Sequence, residues 1–245
     1  MVKNILLFLA AGFLFTYMTF AVAYLNPQAG KNTICDTIQV SVVDTLERHY
    51  ISRNEVVNML KNAGLSPVGK DVSIINTSAI EEKLQENKLI KRAECYKTVN
   101  GKVHVKIYQR IPLLRVFSTK GNYYVDIDGE KMPVPRNFAA YVPVASGHIE
   151  TEYAQTKLYE FALFLQRDKF WNSQIEQIYI EPNEDVVLTP TVGNHQIILG
   201  KIENYEENLD KLRLFYEKGL DKVGWNRYSV INLKFKNQVV CKKNN

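Results

Sequence analysis

At 245 residues, with 46% hydrophobic and 23% charged side chains, the chain has the composition of an ordered protein of one large or two small domains. Its net charge of +5 is mild and spread along the chain, though the last stretch is basic (Lys234, Lys236, Lys242, Lys243) and reads either as a solvated edge and tail or as a docking surface for an acidic partner; no basic-aromatic recognition motif points to nucleic acid. Three cysteines, Cys35, Cys95 and Cys241, cannot all pair within one chain, and no Cys or His falls at metal-ligand spacing.

The chain opens on an uncharged stretch, Ile5 to Leu25, long enough as a helix to span about 30 Å of bilayer hydrocarbon. Lys3 and the amino terminus precede it and Lys31 follows. That is a weak positive-inside pattern, with the N-terminus cytoplasmic and the bulk exported. A cleaved signal peptide competes, because Ala21-Val22-Ala23 has the spelling of a cleavage site. The apolar run is longer than the usual signal core of about 7–15 residues, which favours a retained anchor, and either reading exports the rest.

Ile38, Val40 and Val42 alternate with Gln39 and Ser41, predicting a half-buried strand. Ser52 and Glu55 form a capping box that opens a helix bearing Val56, Met59 and Leu60, with Gly64 as its stop. A second helix is expected to start at Ser78–Glu81, with Ile80 and Leu84 one turn apart. A strand near Arg92–Thr98 then leads through Asn100-Gly101, a hairpin signal, into Val103, Val105 and Ile107. The order β-α-α-β-β resembles a POTRA (polypeptide-transport-associated) domain, whose small sheet leaves an edge for a partner strand. A Cys35–Cys95 bridge is conceivable in an oxidising compartment, but sequence does not fix the separation it needs.

From Leu113 the texture changes to short strands. Leu113–Phe117 and Tyr123–Ile127 read as a hairpin, and Asp126–Gly129 reads as turn chemistry, because a calcium loop would need further oxygen ligands. Helices are expected over Glu152–Lys169 and Tyr205–Lys218. Ile175–Ile180, Val186–Leu188, Gln196–Leu199, Tyr228–Phe235 and Gln238–Lys242 read as strands, the last two joined at Lys236-Asn237. Catalytic signatures are absent: there is no G-x-S-x-G, S-x-x-K or H-E-x-x-H. The four histidines are scattered, and Glu181, Glu184 and Asp185 lie near a strand turn around Pro182 and Asn183, where acidic residues normally sit in water. The expectation is a non-enzyme with no cofactor, metal or small-molecule substrate.

Several local spellings fall in a recognisable order: IYQRIPLLRVF (107–117), YYVDIDGEKMP (123–133), YVPVASG (141–147), ILGKIENYEENLDKL (198–212) and GWNRYSVINLKFKNQVVCKK (224–243). With the anchor and the POTRA-like unit, the whole chain resembles the FtsQ/DivIB cell-division family in its Bacteroidota form. The resemblance implies an α+β architecture: a short cytoplasmic tail (1–4), a transmembrane helix (5–25), a POTRA-like domain (34–111), a β-rich domain with two helices (112–242) and a tail (243–245). The tail before the anchor is shorter than in many relatives, which argues against a partner contact through it. The family role implied is a single-pass inner-membrane scaffold of the divisome at the septum. It recruits the single-span proteins FtsB and FtsL and so influences the septal peptidoglycan synthase. In that family the last strands accept an added strand from FtsB, which points to Val230, Asn232, Lys234 and Phe235 here. Lys234 takes the place of a cation facing an acidic partner and Phe235 that of an aromatic anchor. Gln238, Val239 and Val240 are expected to form the exposed edge. The alternative is a POTRA-bearing envelope-assembly or transport factor, disfavoured because this chain has one such unit and no run of amphipathic barrel strands.

Overall fold

The computed structural model of the chain describes residues 2–25, 33–43, 50–98, 100–135 and 138–244, so Lys31 and His49 lie outside the described residues. Helix α1 (Val2–Leu25) covers the uncharged stretch. Its side chains are described only from Ala11 on, and Phe13, Leu14, Phe15 and Phe20 are all exposed. Among the described residues no helix is long and apolar enough to cross a membrane, so the span expected at Ile5–Leu25 rests on the sequence alone.

The next elements are β1 (Ile38–Val43), α2 (Arg53–Asn62), a 3₁₀ turn (Val72–Ile74), α3 (Thr77–Gln85), β2 (Ile90–Lys97) and β3 (Val103–Gln109). They form a three-stranded sheet in the order β1-β3-β2, with β1 parallel and β2 antiparallel to the central strand. Period-2 alternation places Val103, Val105 and Ile107 against Val56, Leu60, Ile80 and Leu84 of the two helices. The first capping box forms as expected: Glu55 N–H donates to Ser52 Oγ at 3.2 Å, and Ser52 N–H donates to the Glu55 carboxylate at 2.7 Å. The second helix starts just before the expected Ser78. Asn76 caps α3, its Oδ1 accepting from Ala79 N–H at 3.1 Å, so Ser78 lies inside the helix and Glu81 is free to reach elsewhere. Cys35, Cys95 and Cys241 are all thiols, the first two buried in this core.

The second unit begins with β4 (Pro112–Ser118), β5 (Gly121–Asp126), β6 (Lys131–Pro133) and β7 (Val144–Gly147). Helices α4 (Thr151–Gln155), α5 (Lys157–Arg167) and α6 (Lys169–Gln174) follow, then β8 (Ile175–Ile180), β9 (Val186–Pro190) and β10 (Gln196–Gly200). Helix α7 (Tyr205–Phe215) runs on through a π turn (Tyr216–Leu220) into α8 (Asp221–Val223), before β11 (Tyr228–Asn232) and β12 (Val240–Lys243). The nine strands make one sheet in the order β12-β11-β10-β9-β8-β7-β4-β5-β6. Phe161 and Leu165 of α5 and Leu209 and Leu212 of α7 bury against Val116, Ile178, Leu188 and Ile197 of the sheet.

Two expectations are corrected here, and two strands are added. The helix predicted over Glu152–Lys169 is broken into three, because Thr156 leaves helical geometry (φ −120°, ψ −96°) and Asp168 restarts the chain by accepting from Phe170 and Trp171 N–H. Strands β6 and β7 were not legible. The first has three residues, and the second, VASG, carries little β propensity and takes its form from β4 and β8 on either side. The strand expected to continue to Phe235 stops at Asn232.

At Asp126 the turn reading holds. Asp126 Oδ1 accepts from Asp128 N–H at 3.0 Å and from Glu130 N–H at 2.8 Å, while Oδ2 receives Arg110 at 2.7 Å. Among the described residues no group of three His, Cys, Asp or Glu side chains could hold a metal.

Candidate partner-binding edge

Strand β11 pairs parallel with β10 on one side (Gln196↔Val230, Ile198↔Asn232) and antiparallel with β12 on the other (Val230↔Lys242, Asn232↔Val240). Val230 and Asn232 are therefore interior ladder residues, not an edge. The hydrogen-bond phase says more. Leu233 N–H donates to Ile198 C=O at 2.9 Å, so Leu233 and Ile231 face β10 while Asn232 and Val230 face β12. Val240 and Lys242 then answer β11, and the residue between them, Cys241, turns its N–H and C=O outward from the sheet. The edge lies at Val240–Lys243, further along than the expected Gln238–Val240.

The chain leaves the ladder after Asn232 for local reasons. Asn232 Oδ1 accepts from Lys234 N–H at 3.0 Å, a turn-forming bond. The Lys234 stem lies over Gly200, where a Cβ would stand 2.8 Å from Lys234 Cγ. Its ammonium reaches Asp185 Oδ2 at 2.6 Å. That bond holds the Asp185 carboxyl below the usual range and raises the Lys234 ammonium above its own. Lys234 is thus engaged within the fold by an acid that sequence reading placed in water. From α7, Lys211 Nζ donates to the carbonyls of Leu233 and Phe235, each at 3.2 Å, and so pins the connecting segment.

Phe235 remains 45% exposed and Val240 43% exposed, while Gln238 is exposed and Val239 packs partly against the core. Between this segment and α7 lies a groove of about 550 Å³, lined by Lys211, Leu214, Phe215, Asn237, Gln238 and Val239 among others. Lys242 and Lys243 stand exposed on β12 and, among the described residues, carry no ion pair. Sequence reasoning missed Cys241, Lys242 and Lys243 as edge residues, although it had noted the basic end of the chain. The signal available was only their place in the last alternating run. Burial pushes the Cys241 thiol upward in pKa, so it is a poor nucleophile at this position.

The comparisons with known proteins divide the chain at the same junction between sheets. A family model described as FtsQ/DivIB, C-terminal related, matches residues 111–242, which is 132 of 245 residues. A POTRA-like domain model matches residues 33–108. No curated protein matches. Among solved structures, the chain is similar to the major extracytoplasmic domain of the trans isomer of the bacterial cell division protein DivIB from Geobacillus stearothermophilus. The two are 13% identical, the match covers 46% of this chain and 96% of that one, and the TM-score is 0.34. That likeness is too distant to argue from.

Proposed function

The chain belongs to the FtsQ/DivIB family, and from that premise we propose that it is a non-catalytic, membrane-anchored scaffold of bacterial cell division that captures a partner by strand addition at β12. The observation that carries the reading is the position of β12: last in a nine-stranded sheet, with Cys241 N–H and C=O directed outward. Backbone pairing supplies affinity to such an edge, and flanking side chains supply selectivity. The exposed Lys242 and Lys243 suit an acidic segment, and Phe235 offers an aromatic contact beside it. FtsB/FtsL-like single-span division proteins are the partners proposed. Residues 5–25 are proposed as the anchor in the inner membrane, with the bulk in the periplasm at the septum.

The role proposed for Lys234 changes with the geometry. Its ammonium is bound to Asp185, so it acts by shaping the segment that leads into β12, and Lys242 and Lys243 are the cations offered to the partner. The testing substitution is Cys241→Pro, which removes the outward N–H and leaves the ladder bonds of Val240 and Lys242 in place. Capture of the FtsB/FtsL-like partner by the full chain should weaken at least about tenfold. Lys242→Glu should weaken it in a salt-dependent way. Unchanged affinity in a folded Cys241→Pro chain refutes the edge assignment.

A further inference from the structure

Both outer strands of the amino-terminal sheet meet a charged side chain from the helix packed behind them. Thr98 N–H donates to Lys102 C=O at 2.9 Å, so Tyr96 and Glu94, two and four residues back, also face β3. Cys95, between them, turns its N–H and C=O to the open side of β2. That N–H is taken by the Glu81 carboxylate of α3 at 2.6 Å. On the opposite edge, Val103 N–H donates to Thr37 C=O at 3.3 Å, which turns the next residue, Ile38, away from β3. Its outward C=O accepts from Arg53 Nη2 of α2 at 3.0 Å.

The signs suit the groups. An anion sits on the outward-turned donor and a cation on the outward-turned acceptor, both as charge-assisted hydrogen bonds. Neither side chain is occupied by a helix cap. Asn76 caps α3, which leaves the Glu81 carboxylate uncommitted to that end of the helix. Arg53 is the first residue of α2, whose cap is completed by Ser52 and Glu55.

We propose that Glu81 and Arg53 are edge guards that close both sides of the POTRA-like sheet to an incoming strand, and in particular to the same sheet of a second copy of the chain. Unpaired edge groups are a template for sheet-to-sheet association, and inward-reaching charges are a means of blunting them. On β12, by contrast, no helix side chain among the described residues bonds a backbone group. The proposal stands independently of the partner assigned to β12.

The test uses the full chain in detergent micelles, with Glu81→Ala and Arg53→Ala made singly and together. The parent is expected to stay monomeric by sedimentation. The double variant should self-associate at least about tenfold more tightly, and the Cys95 amide should exchange about tenfold faster in Glu81→Ala. Glu81→Gln keeps an oxygen acceptor and should preserve both the monomer and the slow amide. Arg53→Ala is exposed at a helix start and reads the β1 edge separately should Glu81→Ala disturb folding. Variants that lose thermal stability yet remain monomeric, with Cys95 exchange unchanged, assign the two side chains to packing alone and overturn the proposal.

Discussion

His195 is buried with Nε2 2.8 Å from Tyr216 Oη, and the Tyr216 ring meets those of both Trp171 and Trp225. Burial lowers its pKa below the ordinary value of 6.5, opposed by the nearby Trp225 carbonyl. The folded state therefore holds fewer protons than the unfolded one in the window below 6.5. The stabilisation from neutral His195 is present above that pH and is lost as pH falls through and below it. The urea midpoint of the β-rich domain, followed by the fluorescence of these two tryptophans, should fall between about pH 7 and pH 5. His195→Gln should reduce that dependence. At the same scale, Asp126 is fully buried and neutralises Arg110 while satisfying two backbone N–H groups. Asp126→Ala strands a partly buried guanidinium and two donors, and should cost about 3 kcal/mol in urea unfolding.

Strand β7 shows how an element can be real without a local signature. It lies between two parallel neighbours, β4 and β8, and its last residue meets the end of β8 at close range. Gly147 has φ +102°, and a Cβ there would stand 2.2 Å from Ile180 O, a backbone atom that cannot swing aside. Gly147→Ala combines positive-φ strain with this clash. It should destabilise the domain by about 3 kcal/mol or more, checked by thermal unfolding. Elements with strong local patterns were readable in advance. β3 was found by strict alternation and α2 by its capping box, because both signals arise from bonds within a few residues. The break at Thr156 and the early end of β11 were not. The second depends on Lys234 crossing Gly200 to an acid 49 residues away.

At the scale of the molecule, two sheets meet through the segment 109–128. Arg110 N–H donates to Leu89 C=O while its side chain binds Asp126, and Lys91 pairs with Asp128 at 2.6 Å. The junction joins the end of β3 to the β5 turn, so Asp126→Ala also tests coupling. Its loss should separate the unfolding of the two cores into distinguishable transitions in calorimetry.

Composition, periodicity and turn chemistry alone determined an ordered α+β chain behind an apolar helix, the β-α-α-β-β order of its first unit and the strand-rich character of the second. These depend on which side chains face a core and which residues cap or turn, and such preferences act over a handful of positions. Only the tertiary structure decided which strand is outermost, which backbone groups face outward, and that Lys234, Glu81 and Arg53 are already committed. Those outcomes depend on pairing between residues tens of positions apart, where the alternative partners of a lysine or a carboxylate are equal until the fold brings one of them within reach.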